Sequence, residues 1–231
     1  MHDSNPIFSP IPRSFYHFNY SNPDISWGDK FEGQCIEGLC PDPTNFLIGD
    51  SHIERLFRPR LLNFTQDRLP GWNNCGIGGD KIQHVLWRLR HGGMPVNPNK
   101  MIFSAGSNNL IKNNLNNCAQ IANTIMASVN FLLTNYPDIN VAILGIFPRE
   151  NSCKSQAATI INHMLQWKLP SLVTFIAPPK EFSTASGKPN IQFYERDMIH
   201  LNSKGYNVLL NALNSFITTD TDSLGLDAIP T

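Results

Sequence analysis

The feature that most restricts the fold is an alternation. Short apolar runs bounded by turn residues, "NFLIG" (45–49), "MIFSAG" (101–106), "NVAILGI" (140–146) and "LVTFIA" (172–177), are separated by segments whose apolar residues recur at helical spacing. In "DKIQHVLWRL" Ile82, Val85, Leu86 and Leu89 share a face, and in "CAQIANTIMASVNFLLTNY" Ile121, Ile125, Val129 and Phe131 to Leu133 do. "QAATIINHMLQW" and "KGYNVLLNALNSFI" continue the series. Runs that are apolar throughout, alternating with amphipathic helices, predict an α/β fold: a parallel sheet covered on both faces. "GWNNCG" (71–76) is too polar to read by pattern, but the spacing leaves room for a strand there.

This organisation begins near Thr44. Residues 1–43 are rich in Pro, Asn, Ser, Gly and aromatics without clean periodicity, and read as an irregular N-terminal arm packing through Phe15, Tyr16, Phe18 and Trp27. Residues 44–219 read as the domain, and 220–231 as a loose C-terminal tail. Lys+Arg and Asp+Glu both number 18, so no global field favours nucleic acid or an anionic membrane. No apolar run approaches the roughly 18 residues of a membrane span. The first residues lack a basic segment followed by an apolar core, and the expected location is the cytoplasm. Five scattered cysteines, with only Cys35 and Cys40 close together, fit free thiols better than a zinc site, which would need a second pair.

In open parallel sheets ligands bind beyond the carboxyl ends of the strands. Ser51, Gly78-Gly79, Asn108 and His200 all fall at such ends. Ser51, in "NFLIGDSHIERL", follows a strand and opens a helix; taken alone it reads first as an N-cap. The spacing is not G-x-S-x-G, because Ile53 holds the last position. In "DMIHLNSKGY" Asp197 and His200 are three apart, a spacing at which a carboxylate can orient an imidazole. His52 is a rival base, but neighbouring helical residues point about 100° apart, so it is expected to line the pocket mouth or to be solvated. His84, His91 and His163 read as ordinary surface or half-buried histidines. The Ser51 N–H, the Gly79 N–H and the Asn108 amide could together form a three-donor oxyanion hole. Neither "NCGIGGDK" nor "SAGSNNL" fits a phosphate-loop pattern.

"GDSH", "GIGGDKIQHVLWRL", "GSNN" and "DMIHL", in that order and spacing, resemble the four blocks of the SGNH (GDSL-type) hydrolases. "GIGGDKIQHVLWRLRHG" and "LGIFPRE" are similar to the group of intracellular type 1b platelet-activating-factor acetylhydrolase catalytic subunits, and the likeness covers about residues 44–217. The resemblance implies a three-layer α/β/α flavodoxin-like fold and no metal or other cofactor. It implies Ser51 as nucleophile, His200 as base, Asp197 as its orienter, and Ser51, Gly79 and Asn108 as oxyanion donors. The implied activity is a serine esterase acting on short-chain, acetyl or phospholipid esters. Its partners would be a small ester or lipid and a second copy in a homodimer, with no nucleic-acid or membrane signal. His52 stands where that group carries an apolar residue and Ser107 where it carries threonine, so His52, Ser107 and Ile199 are the expected lining of an acyl pocket of altered size and polarity. Two alternatives stay open: an esterase domain of retrotransposon origin, and a catalytically silent binding subunit of the same fold.

Overall fold

The structure is a computed structural model and describes residues 18–19, 22–32, 45–58, 67–92, 98–111 and 114–219. Among these, β3 (Asn45–Gly49), β4 (Trp72–Gly76), β5 (Lys100–Ser104), β6 (Asn140–Leu144) and β7 (Thr174–Ile176) form a five-stranded sheet. Its order is β4-β3-β5-β6-β7 and every pairing is parallel. Helices α2 (Ser51–Glu54), α3 (Ile82–Arg90), α4 (Cys118–Asn135), α5 (Ser152–Lys168) and α6 (Ser203–Thr218) make the connections and the final layer. This is the three-layer α/β/α arrangement expected from the sequence, with the strand order of flavodoxin-like sheets.

Alternation of side chains along each strand sorts the core into two halves. Phe46, Ile48, Met101, Phe103, Val141 and Ile143 face α3, α4 and α5, meeting Val85, Ile125, Val129 and Ile161. Leu47, Ile102, Ala142 and Leu144 face the other way, toward α2 and α6, meeting Ile53, Leu209, Leu213 and Phe216. The helix ends are set by local chemistry. Asn151 caps α5 by accepting from the Lys154 N–H, and Asn202 caps α6 by accepting from the Gly205 N–H. Pro170 follows the last residue of α5 by two, where a helix is disfavoured.

The room left at "GWNNCG" is filled by β4. Its polar residues are used locally: the Asn74 amide donates to the Ile53 carbonyl, and its oxygen accepts from the Gly76 N–H. Within the segment read as an irregular arm, β1 (Phe18–Asn19) and β2 (Asn22–Ser26) pair antiparallel and lead into α1 (Trp27–Glu32). Phe31 of α1 is buried in the main core, edge-on to Trp87 at 5.7 Å. The packing expected of Phe15, Tyr16, Phe18 and Trp27, the Cys35–Cys40 pair and the tail beyond Thr219 lie outside the described residues and side chains. Cys75, Cys118 and Cys153 are free thiols. Among the described residues no helix is long and apolar enough to cross a membrane, and no group of three or more His, Cys, Asp or Glu could hold a metal ion.

The chain leaves β3 for β4 on one side and then crosses to β5 on the other, so the order reverses at β3–β5. The strand ends there are level: Gly49 pairs with Gly76 on one side and with Ser104 on the other. A Cβ on Gly49 would stand 2.0 Å from the Ser104 carbonyl oxygen, a close approach open only to glycine. The loops that follow these ends surround the crevice in which such sheets bind ligands.

Candidate active site

Asp50, not Ser51, caps α2. It has extended backbone, and its Oδ1 accepts from the His52 N–H at 3.0 Å. Ser51 is therefore the first helical residue, and its hydroxyl is free for another partner, which corrects its reading as a helix cap. That partner is His200, whose Nε2 lies 2.9 Å from Ser51 Oγ although the two are 149 residues apart. On the other side of the ring, Nδ1 is 2.6 Å from Asp197 Oδ2. Nδ1 thus carries the proton and donates to the carboxylate, and Nε2 is left to accept from serine.

The Asp197–His200 turn is tightly laced. Asp197 Oδ1 accepts the N–H groups of Ile199 and His200, each at 2.9 Å. Met198 between them has φ of 54°, a left-handed conformation rare for such a side chain, and it lets three residues complete the turn. Burial alone would raise the Asp197 carboxyl. The bonds it receives from the His200 backbone, the His200 ring and Ile199 outweigh that and hold it at about 2. His200 is pushed below its usual 6.5, first by burial and then by the Arg55 and Arg149 charges, against the pull of Asp197. At neutral pH the pair is thus a carboxylate beside a neutral imidazole.

The expected oxyanion donors Gly79 and Asn108 sit in the turns that follow β4 and β5. Gly79 has φ of +81° in the turn after β4, and a Cβ on neighbouring Gly78 would come within 3.7 Å of Ser51 Cβ. The N–H groups of Ser51 and Gly79 take no part in the hydrogen bonds of the described residues. Asn108, in the 3-10 turn Ser107–Asn109, gives one amide hydrogen to the Asp80 carbonyl at 2.9 Å and keeps the other. Asn109 next to it is spent on structure: its oxygen accepts from the Ile82 N–H and its amide donates to Gln83.

His52 departs from expectation. It is 3% exposed, neither solvated nor at a mouth, with its ring centroid 5.8 Å from that of His200 and edge-on to Phe147 at 4.9 Å. With Ser107 it lines a small cavity beneath the ends of β3, β5 and β6; Ile199 is not among the residues lining it. His84 is buried, its Nδ1 accepting from the Lys81 N–H at the start of α3, while His91 and His163 are exposed.

Three groups near the site escape a reading of the sequence. Arg88 is fully buried and donates to Asp80 Oδ2, the Cys75 carbonyl and the Gly49 carbonyl, tying β3, β4 and the glycine turn together. Arg149, in the "LGIFPRE" segment, donates to the Ser107 carbonyl at 2.7 Å and to the Ser107 hydroxyl. Asp50 is buried, and burial pushes its carboxyl up to about 7.

The three-layer arrangement, with these loops at the sheet's switch point, has the fold of the SGNH (GDSL-type) hydrolases, the superfamily that the sequence resembles. No protein-family model matches the chain. Among curated relatives, the Homo sapiens platelet-activating factor acetylhydrolase IB subunit alpha2 is 26% identical over 220 residues, covering 93% of this chain and 91% of the relative. The Bos taurus subunit alpha1 is 27% identical over 222 residues, covering 93% and 90%. Among solved structures, a GDSL-like lipase from Bacteroides thetaiotaomicron superposes with a TM-score of 0.64 at 15% identity, covering 79% of this chain and 93% of its own.

Proposed function

We propose that the chain is a serine esterase that hydrolyses short-chain carboxylic or phospholipid esters, with its activity carried by residues 44–219. The observation that supports this most is the hydrogen-bonded series Ser51 Oγ–His200 Nε2 and His200 Nδ1–Asp197 Oδ2, at 2.9 and 2.6 Å, together with Ser51 and Gly79 N–H groups that take no part in the hydrogen bonds of the described residues. The acetylhydrolase and lipase names of its relatives point the same way.

In this reading His200 Nε2 takes the Ser51 proton as Oγ bonds to the ester carbon. The carbonyl electrons move to oxygen, and that oxyanion is held by the Ser51 N–H, the Gly79 N–H and the free Asn108 hydrogen. As the carbon–alkoxide bond breaks, His200 returns its proton to the leaving alcohol. A water then repeats the sequence: His200 takes its proton, hydroxide adds to the acyl-serine, and Ser51 leaves reprotonated with the acid released. Asp197 stays ionised throughout and keeps Nδ1 protonated.

The test is hydrolysis of p-nitrophenyl esters of two to twelve carbons, with labelling by a fluorophosphonate. Wild type should turn over the short esters and be labelled. Ser51→Ala should lose both, with turnover down roughly 10⁴-fold or more, and Asn108→Ala should lose about 10²–10³-fold. A folded wild type that neither hydrolyses nor labels would return the chain to a binding role.

A further inference from the structure

His52 is 97% buried by its 3% exposure, yet neither Nδ1 nor Nε2 has a hydrogen-bond partner among the described residues. Buried polar groups are almost always paired, and an exception calls for an explanation. The ring lies beside a cavity of about 10 Å³ whose lining also includes Asp50, Ser104, Ser107, Ile146 and Phe147. That is room for one group the size of a water molecule. Its lining lies next to the proposed chemistry: Asp50 and His52 are the neighbours in sequence of Ser51, Ser107 that of Asn108, and the His52 and His200 rings are 5.8 Å apart.

The lining favours one kind of group. Burial, and then the His200 and Arg149 charges, hold His52 well below its usual range, so it is a neutral imidazole with one N–H and one lone pair. The Ser107 hydroxyl already accepts from Arg149 and keeps its own hydrogen to give. A methyl group entering here would leave these groups unpaired. A cationic ammonium would meet the neighbouring Arg149 charge, and the Asp50 carboxyl in the lining, pushed up to about 7 by burial, is too weakly ionised at neutral pH to offset it fully. A hydroxyl can both donate and accept.

We infer that His52 makes the site selective for 2-hydroxyacyl esters, the α-hydroxyl entering the cavity and bonding to the imidazole. The inference rests on the Ser51 esterase reading and gives it a substrate class. Sites built to bond a substrate hydroxyl discriminate strongly against analogues that lack it, because their own polar groups are then stranded.

The experiment compares kcat/KM for phenyl hydroxyacetate, acetate and propionate, each divided by its rate of hydroxide-catalysed hydrolysis. Wild type should favour hydroxyacetate over propionate by about 10–100-fold. His52→Leu should reduce that ratio at least tenfold, and His52→Gln, which keeps a donor and an acceptor, should restore part of it. A wild-type ratio near one overturns the inference without reference to any variant. So does a ratio that His52→Leu leaves within twofold, which would mean that the cavity holds only a water. Turnover of acetate in either case leaves the esterase reading standing. Absence of all ester turnover by wild type overturns both together.

Discussion

The charge state of His200 is set by a contest that the structure makes explicit. Burial and the Arg55 and Arg149 cations favour the neutral ring, and Asp197 favours the imidazolium. The first group wins, so the acid limb of kcat/KM should have its midpoint below pH 6.5. Asp197→Asn removes the opposing carboxylate, so the remaining activity, lower by about 10⁴-fold, should have its limb moved further toward acid. Asp50 carries the opposite kind of shift. Its folded carboxyl sits at about 7, above its ordinary 3.8, so the native state keeps a proton that the unfolded chain has lost between those values. The resulting stabilisation is complete below pH 3.8 and lost as pH rises through 7, amounting to about 4 kcal/mol at most. Asp50→Asn keeps the acceptor for the His52 N–H and abolishes the titration. Its melting temperature relative to wild type should therefore climb between pH 4 and pH 8; parallel curves would show that Asp50 is not a buried proton carrier.

At the scale of elements, the turn between β4 and α3 depends on one side chain. Arg88 reaches the carbonyls of Gly49 and Cys75 and the Asp80 carboxylate, and the Asp80 carbonyl in turn receives the Asn108 amide. Lysine cannot reproduce a planar fork that serves three acceptors. If the Gly79 and Asn108 donors it helps place act on the transition state as proposed, Arg88→Lys should lower kcat by about 10–100-fold with KM little changed. A variant that melts lower with kcat intact would show that Arg88 supports only the core. None of this is legible in hydropathy, which reads Arg88 as the solvated side of a helix. What hydropathy does reveal is the strands with apolar side chains on both faces, such as Phe46–Ile48 and Val141–Leu144. It misses β4, whose Asn74 folds back on local backbone groups. The site divides in the same way. Ser51, Gly79, Asn108, Asp197 and His200 could be singled out as candidates because they fall just after strands or just before the last helix. Which of Asp50 and Ser51 caps α2, and how deep His52 lies, depend on contacts between segments far apart in sequence.

Across the whole molecule the sheet separates two tasks by its two ends. The carboxyl ends of β3, β4 and β5 hold the loops of the proposed active site, and their amino ends meet the end of α6. There Lys100, the first residue of β5, is 2% exposed. Its ammonium donates to the carbonyls of Phe216 and Ile217, at 3.2 and 3.1 Å, and to the Thr219 hydroxyl. These carbonyls belong to the last turn of α6, which carries the negative end of its dipole, and that of Phe216 also accepts from the Thr219 hydroxyl at 3.1 Å. Lys100→Met keeps most of the volume and removes the donors, so the Phe216 and Ile217 carbonyls each lose one bond. The expected loss is about 1–3 kcal/mol, a fall in melting temperature of roughly 2–12 °C for a domain of this size. Because Ser51, Gly79 and Asn108 lie a full strand length away, kcat/KM for a short ester should stay within about twofold at temperatures where the variant is folded. Calorimetry and ester hydrolysis on the same preparation decide it. A large loss of activity without a fall in stability would mean that the amino end of the sheet is coupled to the chemistry, and that the division by ends is wrong.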